Sequence, residues 1–125
     1  MSAGSPRKDS TVVLVADDEP TICNLLRQIL EREGYCVLIA MSTTEALAVA
    51  RAFSKPIDLL IADIEIPKAS GVGIACELLA ERPEMHVLLM SRGAPGDLLK
   101  FPCISKPFDI HAFRAKVKEV LDAAA

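Results

Sequence analysis

The sequence predicts an α/β fold, a doubly wound five-stranded parallel sheet in (βα)5 order. Two observations carry the prediction. Short, continuous aliphatic runs recur along the chain, and between them lie longer stretches whose apolar residues repeat at helical spacing. A continuous apolar run implies a strand covered on both faces, and strands alternating with helices imply a parallel sheet. At 125 residues the chain makes one domain. Burying roughly two-thirds of its unfolded surface, a chain of this length needs no disulfide or metal to fold.

Residues 1–10 are small and polar with Pro and Gly, and read as a flexible tail. The domain proper runs over 11–122, with 123–125 a short C-terminal end. Thr11 to Ala16 is the first strand. Pro20 suits the first turn of a helix, Ile22, Leu25, Leu26, Ile29 and Leu30 repeat helically, and Gly34 ends it. Tyr35 to Ala40 is a second buried strand. Ser42 and Glu45 have capping-box spacing and open the next helix. Leu59 to Asp63 is the third strand. Gly71 leads into a helix through Ile74, Leu78 and Leu79 that Pro83 stops. His86 to Met90 is the fourth strand. Between Ser91 and Pro102 the pattern weakens, and Pro95 and Gly96 leave room for only an abbreviated fourth helix. Cys103 to Ser105 is a minimal fifth strand. Asp109 is placed to cap a last helix bearing Phe113, Val117, Val120 and Leu121.

Composition excludes several functions. Aromatics are 4% with no Trp, so there is no platform for stacking bases, and a net charge of -3 leaves no basic footprint for nucleic acid. No run approaches the ~18 apolar residues that span a bilayer. The N-terminal residues lack the apolar region of a signal peptide. A cytoplasmic protein is expected. The four cysteines, at 23, 36, 76 and 103, form no C-x-x-C pair and read as buried free thiols.

In an open α/β sheet, ligands bind beyond the carboxyl ends of the strands. Here the first strand ends in Asp17 and Asp18, the third in Asp63, the fourth in Ser91 and the fifth in Lys106. If the strand order is 2-1-3-4-5, these ends converge on one shallow site. Two unit charges ~4 Å apart repel by about 4 kcal/mol at an effective dielectric near 20. Three carboxylates therefore demand a proton or a cation. Oxygen-only donors favour a hard ion such as Mg²⁺. With charge balanced, one carboxylate is able to attack phosphorus, while Lys and Ser stabilise the phosphoryl oxygens. Crowding also predicts that removing either Asp17 or Asp18 leaves the metal-free protein no less stable.

These residues resemble the receiver domains of two-component response regulators. The match comprises Asp17-Asp18, Asp63-Ile64-Glu65-Ile66-Pro67 with Gly71, Ser91, and Lys106-Pro107-Phe108, and covers about residues 11–122. The resemblance implies the flavodoxin-like order 2-1-3-4-5. It implies Asp63 as phosphoacceptor, with Asp18, Asp63 and the Glu65 main-chain carbonyl binding Mg²⁺ directly and Asp17 acting through water. Ser91 would be the switch hydroxyl, Lys106 the phosphoryl partner, and Lys106-Pro107 a cis peptide. It further implies a sensor histidine kinase or histidine phosphotransfer protein as donor, an unspecified downstream protein, and a regulatory domain that assists its own phosphoryl transfer and dephosphorylation rather than a turnover enzyme. Such a domain is either free-standing or part of a larger protein.

Three features depart from the family pattern. Arg92 follows Ser91 where a small residue is usual, and is placed to contact or to block the phosphoryl group. Cys103 stands where many members carry an aromatic switch residue. Only 14 residues, 92 to 105, separate Ser91 from Lys106. These departures support an alternative, a receiver-fold docking module that signals constitutively without phosphorylation. A Mg²⁺-dependent phosphatase-like enzyme is a third reading, weakened because Asp63-x-Glu65 is not a paired-Asp signature. Taken singly, Asp17 to Glu19 also read as helix caps, Ser91 as a loop serine and Lys106 as a solvated lysine. His86 and His111 belong to no ligand pattern.

Overall fold

The apolar runs pair into a parallel sheet of five strands, β1 (Val12–Ala16), β2 (Cys36–Ala40), β3 (Leu59–Asp63), β4 (His86–Ser91) and β5 (Cys103–Ser105), in the order β2-β1-β3-β4-β5. The computed structural model describes residues 11–65, 71–92 and 101–123. Four helices lie among these residues: α1 (Pro20–Arg32), α2 (Thr43–Ala52), α3 (Gly71–Glu81) and α4 (Ile110–Asp122). The N-terminal tail and most of the segment expected to hold the abbreviated fourth helix fall outside the described residues.

Helices cover both faces of the sheet. On one face Leu14, Ala16, Leu60, Ala62 and Leu89 pack with Ala46 and Ala50 of α2 and Ile74, Ala75 and Leu78 of α3. On the other, Val13, Val15, Leu59, Ile61, Leu88 and Met90 pack with Leu26, Ile29 and Leu30 of α1 and Phe113, Val117 and Val120 of α4. Successive side chains on a strand point to opposite faces, so a central strand feeding two cores must be apolar throughout. β1 and β3 are buried at every position.

The helix termini follow the sequence signals. The Ser42 hydroxyl accepts from the Glu45 amide at 3.0 Å, and the Glu45 carboxylate accepts from the Met41 amide. The Asp109 carboxylate accepts from the Ala112 amide at 2.6 Å. Gly34, just past α1, has φ 94°, a conformation that costs a residue with a Cβ.

Two expectations need correction. β2 was expected to be buried, but Cys36 is exposed, Val37, Leu38 and Ile39 are half-buried, and only Ala40 is fully enclosed. The cause is its edge position, with a neighbour on one side only. The cysteines are free but not uniformly buried: Cys23 is, Cys36 and Cys76 are exposed and Cys103 is half-buried. Cys36 opens the edge strand, and Cys76 lies on the outward side of α3, whose inward positions are Ile74, Ala75 and Leu78.

Arg82, just beyond α3, fixes the end of α2. Its guanidinium donates to the carbonyls of Ala50 (2.7 Å), Phe53 (2.6 Å) and Lys55 (2.9 Å). Helix C-terminal carbonyls lack intrahelical partners, and a charged donor serves them well. Arg82→Ala is expected to lower stability by about 2 kcal/mol, read as a lower urea midpoint at unchanged m-value. Arg82→Lys, with fewer donors and no fork, should recover only part of it.

Candidate phosphoryl and metal site

The strand register brings the chemistry together. Ala16 pairs with Ala62, Asp63 with Met90, and Ser91 with Ser105. The carboxyl ends of β1, β3, β4 and β5 thus finish side by side. Two main-chain bonds lock the loops leaving them: the Ile64 amide donates to the Met90 carbonyl (3.0 Å), and the Lys106 amide donates to the Ser91 carbonyl (2.6 Å).

Asp17 and Asp63 are both buried, at 0% and 5% exposure. Each carboxylate is oriented by the amide two residues on. Asp17 Oδ1 accepts from the Glu19 amide at 2.9 Å, and Asp63 Oδ1 accepts from the Glu65 amide at 2.8 Å. Their other oxygens share one cation: Lys106 Nζ lies 3.0 Å from Asp17 Oδ2 and 2.8 Å from Asp63 Oδ2. Part of the positive charge that the crowded carboxylates require is therefore built in. The Cys23 thiol, on the inner side of α1, donates to the Asp17 carbonyl at 3.3 Å. Burial, reinforced by the Asp17 charge, pushes that thiol up to about 11.

Burial raises the Asp17 pKa, and the opposing Glu19 amide and Lys106 ammonium only partly offset it. For Lys106, burial works against the charged form, but hydrogen bonds to Asp63 and Asp17 outweigh it and the pKa is raised.

Asp18 is exposed. It lines an open cleft with Glu19, Asp63, Glu65 and Arg92. Ligand oxygens of Asp17, Asp18 and Asp63 all lie within 4.8 Å of one another. Ser91 is 3% exposed at the end of β4. Arg92 stands at the rim, largely exposed, its Nε 3.9 Å from Glu65 Oε1. The Lys106–Pro107 peptide is cis. The structure thus gathers Asp17, Asp18, Asp63, Glu65, Ser91, Arg92 and Lys106 at one end of the sheet. Capping does not account for the acidic run, because Glu19 occupies the N-cap of α1 without a side-chain cap bond. Glu19, as part of the cleft wall, went unrecognised in the sequence; its only signal was adjacency to the acidic pair.

The two neighbouring carboxylates therefore do different work, contrary to the expectation that removing either one leaves the metal-free protein no less stable. Asp17→Ala removes an acceptor from a buried ammonium and from the Glu19 amide, and should cost about 2 kcal/mol without metal. Asp18→Ala removes an exposed like charge and should leave stability unchanged or slightly higher. Urea melts of both variants in EDTA check this; equal effects would contradict it.

Comparison with known proteins agrees with this geometry. The response regulator receiver domain family matches residues 13–118. The alkaline phosphatase synthesis transcriptional regulatory protein PhoP of Bacillus subtilis is 34% identical over 117 residues, covering 87% of this chain and 48% of that protein. The sensor kinase CckA of Brucella abortus is 29% identical over 90% of this chain and 13% of its own length. The chain spans about half the length of the transcriptional regulators it matches. Among solved structures, a receiver domain protein from Clostridium thermocellum is 28% identical with a TM-score of 0.80, over 90% of this chain and 95% of that one. Response regulator TrrA of Thermotoga maritima, solved in complex with Mg(2+)-BeF, is 33% identical with a TM-score of 0.75, over 88% and 98% of the two chains. A doubly wound sheet in this order, an acidic cluster bridged by a lysine, and a family match over most of the length lead to one assignment: the chain belongs to the response regulator receiver domain family.

Proposed function

We propose that this domain is a phosphorylation-switched signalling receiver that accepts a phosphoryl group on Asp63, with Mg²⁺, from a sensor histidine kinase or a histidine phosphotransfer protein in the cytoplasm. The observation that carries the reading is Lys106 bridging Asp17 and Asp63 beside exposed Asp18, at the ends of adjacent strands.

The donor set fits the metal. All groups are hard oxygens and lie close enough to share one ion. Asp18, Asp63 and the Glu65 carbonyl would hold it, with Asp17 acting through water. Bound Mg²⁺ supplies charge neutralisation for the transferring phosphoryl oxygens. The residues do the rest. A carboxylate oxygen of Asp63 forms the new bond to phosphorus as the donor's imidazole nitrogen loses its own. The Glu65 amide keeps the carboxylate oriented. Lys106, already 2.8 Å from Asp63, is placed to pair with the phosphoryl group, and Ser91 to donate its hydroxyl to a phosphoryl oxygen. Arg92 lines the cleft at its rim, its side chain 72% exposed and 3.9 Å from Glu65. The relatives named above are regulatory and signalling proteins, in keeping with a domain that is switched and does not turn over an external substrate.

The test is intact mass after incubation with acetyl phosphate, with Mg²⁺ or with EDTA. A gain of one phosphoryl group that requires Mg²⁺ is expected. No gain under any condition would overturn the reading.

A further inference from the structure

We propose that Cys23 is a positioning residue for the metal site: its thiol, bonded to the Asp17 carbonyl, sets the peptide plane from which the Asp18 carboxylate is presented to Mg²⁺. The proposal rests on the reading of Asp18 as a direct Mg²⁺ ligand.

Asp18 is exposed to the cleft, and among the described residues no hydrogen bond or ion pair reaches it. Its direction is therefore set by its neighbours in the chain. The Asp17 amide donates to the Ala40 carbonyl at 3.1 Å, which ties Asp17 to the sheet. The Glu19 amide donates to Asp17 Oδ1 at 2.9 Å, and the Glu19 carbonyl accepts from the Cys23 amide at 3.1 Å. Between these fixed points one peptide unit is left to orient, the one that joins the Asp17 carbonyl to the Asp18 amide. A peptide unit is planar, so turning it changes ψ of Asp17 and φ of Asp18 together and swings the Asp18 side chain.

The Cys23 thiol holds that unit. Its Sγ lies 3.3 Å from the Asp17 carbonyl oxygen, and both residues are buried. No main-chain amide among the described residues reaches this carbonyl. A thiol is a weak donor, but a buried carbonyl left without a partner is costly. Removing the donor should let the plane turn toward another partner and loosen the aim of Asp18. Cys23 thus grips the acidic turn twice, with its amide on Glu19 and its thiol on Asp17.

The experiment titrates the full chain with Mg²⁺ alone, with no phosphodonor, and follows the amide NMR shifts of residues 17–19 and 63–65. Cys23→Ala should weaken Mg²⁺ binding about 2–5-fold, the scale of one weak hydrogen bond. Cys23→Ser, which keeps a donor, should stay near wild type. Cys23→Thr and Cys23→Val match in shape and differ in the donor, so the Thr variant should bind Mg²⁺ more tightly by a similar factor; this pair decides the matter if Cys23→Ala folds too poorly to titrate. On an Asp18→Asn background Cys23→Ala should weaken binding no further. A loss that is equal in the Ala and Ser variants, or in the Thr and Val variants, would overturn the proposal, as would a full effect on the Asp18→Asn background or none on the wild-type background. Each of those results leaves Asp18 as the ligand. A wild-type protein that takes up no Mg²⁺ would overturn the metal reading and this proposal together.

Discussion

Asp63→Asn is expected to abolish phosphorylation while leaving the fold in place. Asp63 closes β3 at 5% exposure, with one oxygen on the Glu65 amide and the other on Lys106. The amide is nearly isosteric but is no nucleophile toward phosphorus, so labelling by a small phosphodonor should fall below detection. One of the two bonds must be lost, because the NH2 of asparagine cannot accept. The cost should stay near 1–2 kcal/mol, because Lys106 retains Asp17 and one carboxylate leaves a crowded site. A urea melt beside the labelling assay separates lost chemistry from lost structure. Labelling at the wild-type level would refute the assignment.

Lys106→Ala should have the second largest effect, and on two properties. It removes the cation shared by two buried carboxylates. Breaking a buried ion pair by deleting one partner costs about 3–5 kcal/mol, and the lower end is expected here because each carboxylate keeps its main-chain amide donor. The sign of the pH dependence follows. A carboxyl whose folded pKa lies above its unfolded value favours the folded state most at low pH, and that contribution is lost as pH rises through the folded pKa. Without Lys106 the Asp17 pKa rises further. The stability deficit of the variant should therefore be largest near pH 7 and narrow toward pH 4. Mg²⁺ should narrow it too, by restoring positive charge. Phosphorylation should slow by at least ~10²-fold, the scale of losing one stabilising group at developing charge. A deficit that stays constant from pH 7 to pH 4 would mean that Lys106 acts through packing alone, and one that widens on acidification would contradict the account.

The sheet was legible in the sequence because its central strands serve two cores and are apolar at every position, a pattern that needs no tertiary knowledge. Leu59 to Asp63 is the clearest case, a continuous run ending in the functional carboxylate. What escaped reading depends on long-range pairing. Cys36 to Ala40 is as apolar as a central strand, and only its place at the sheet edge leaves it half-exposed. Asp17 and Asp18 are adjacent and chemically identical, yet one is sealed under Lys106 and the other faces the cleft. Nothing local separates them, since the bridging ammonium lies 89 residues from Asp17 and 43 from Asp63. Arg82 was equally silent, because its partners belong to the end of a helix some thirty residues earlier.

The central claim is that Asp63 itself carries the phosphoryl group, and locating the label tests it most directly. Protein treated with acetyl phosphate and Mg²⁺ is reduced with borohydride, which converts an aspartyl phosphate to homoserine, then digested and sequenced by mass spectrometry. The account predicts homoserine at position 63, dependent on Mg²⁺ and absent without the donor. Homoserine at Asp17 or Asp18, or at no position in protein that has gained phosphoryl mass, would contradict it.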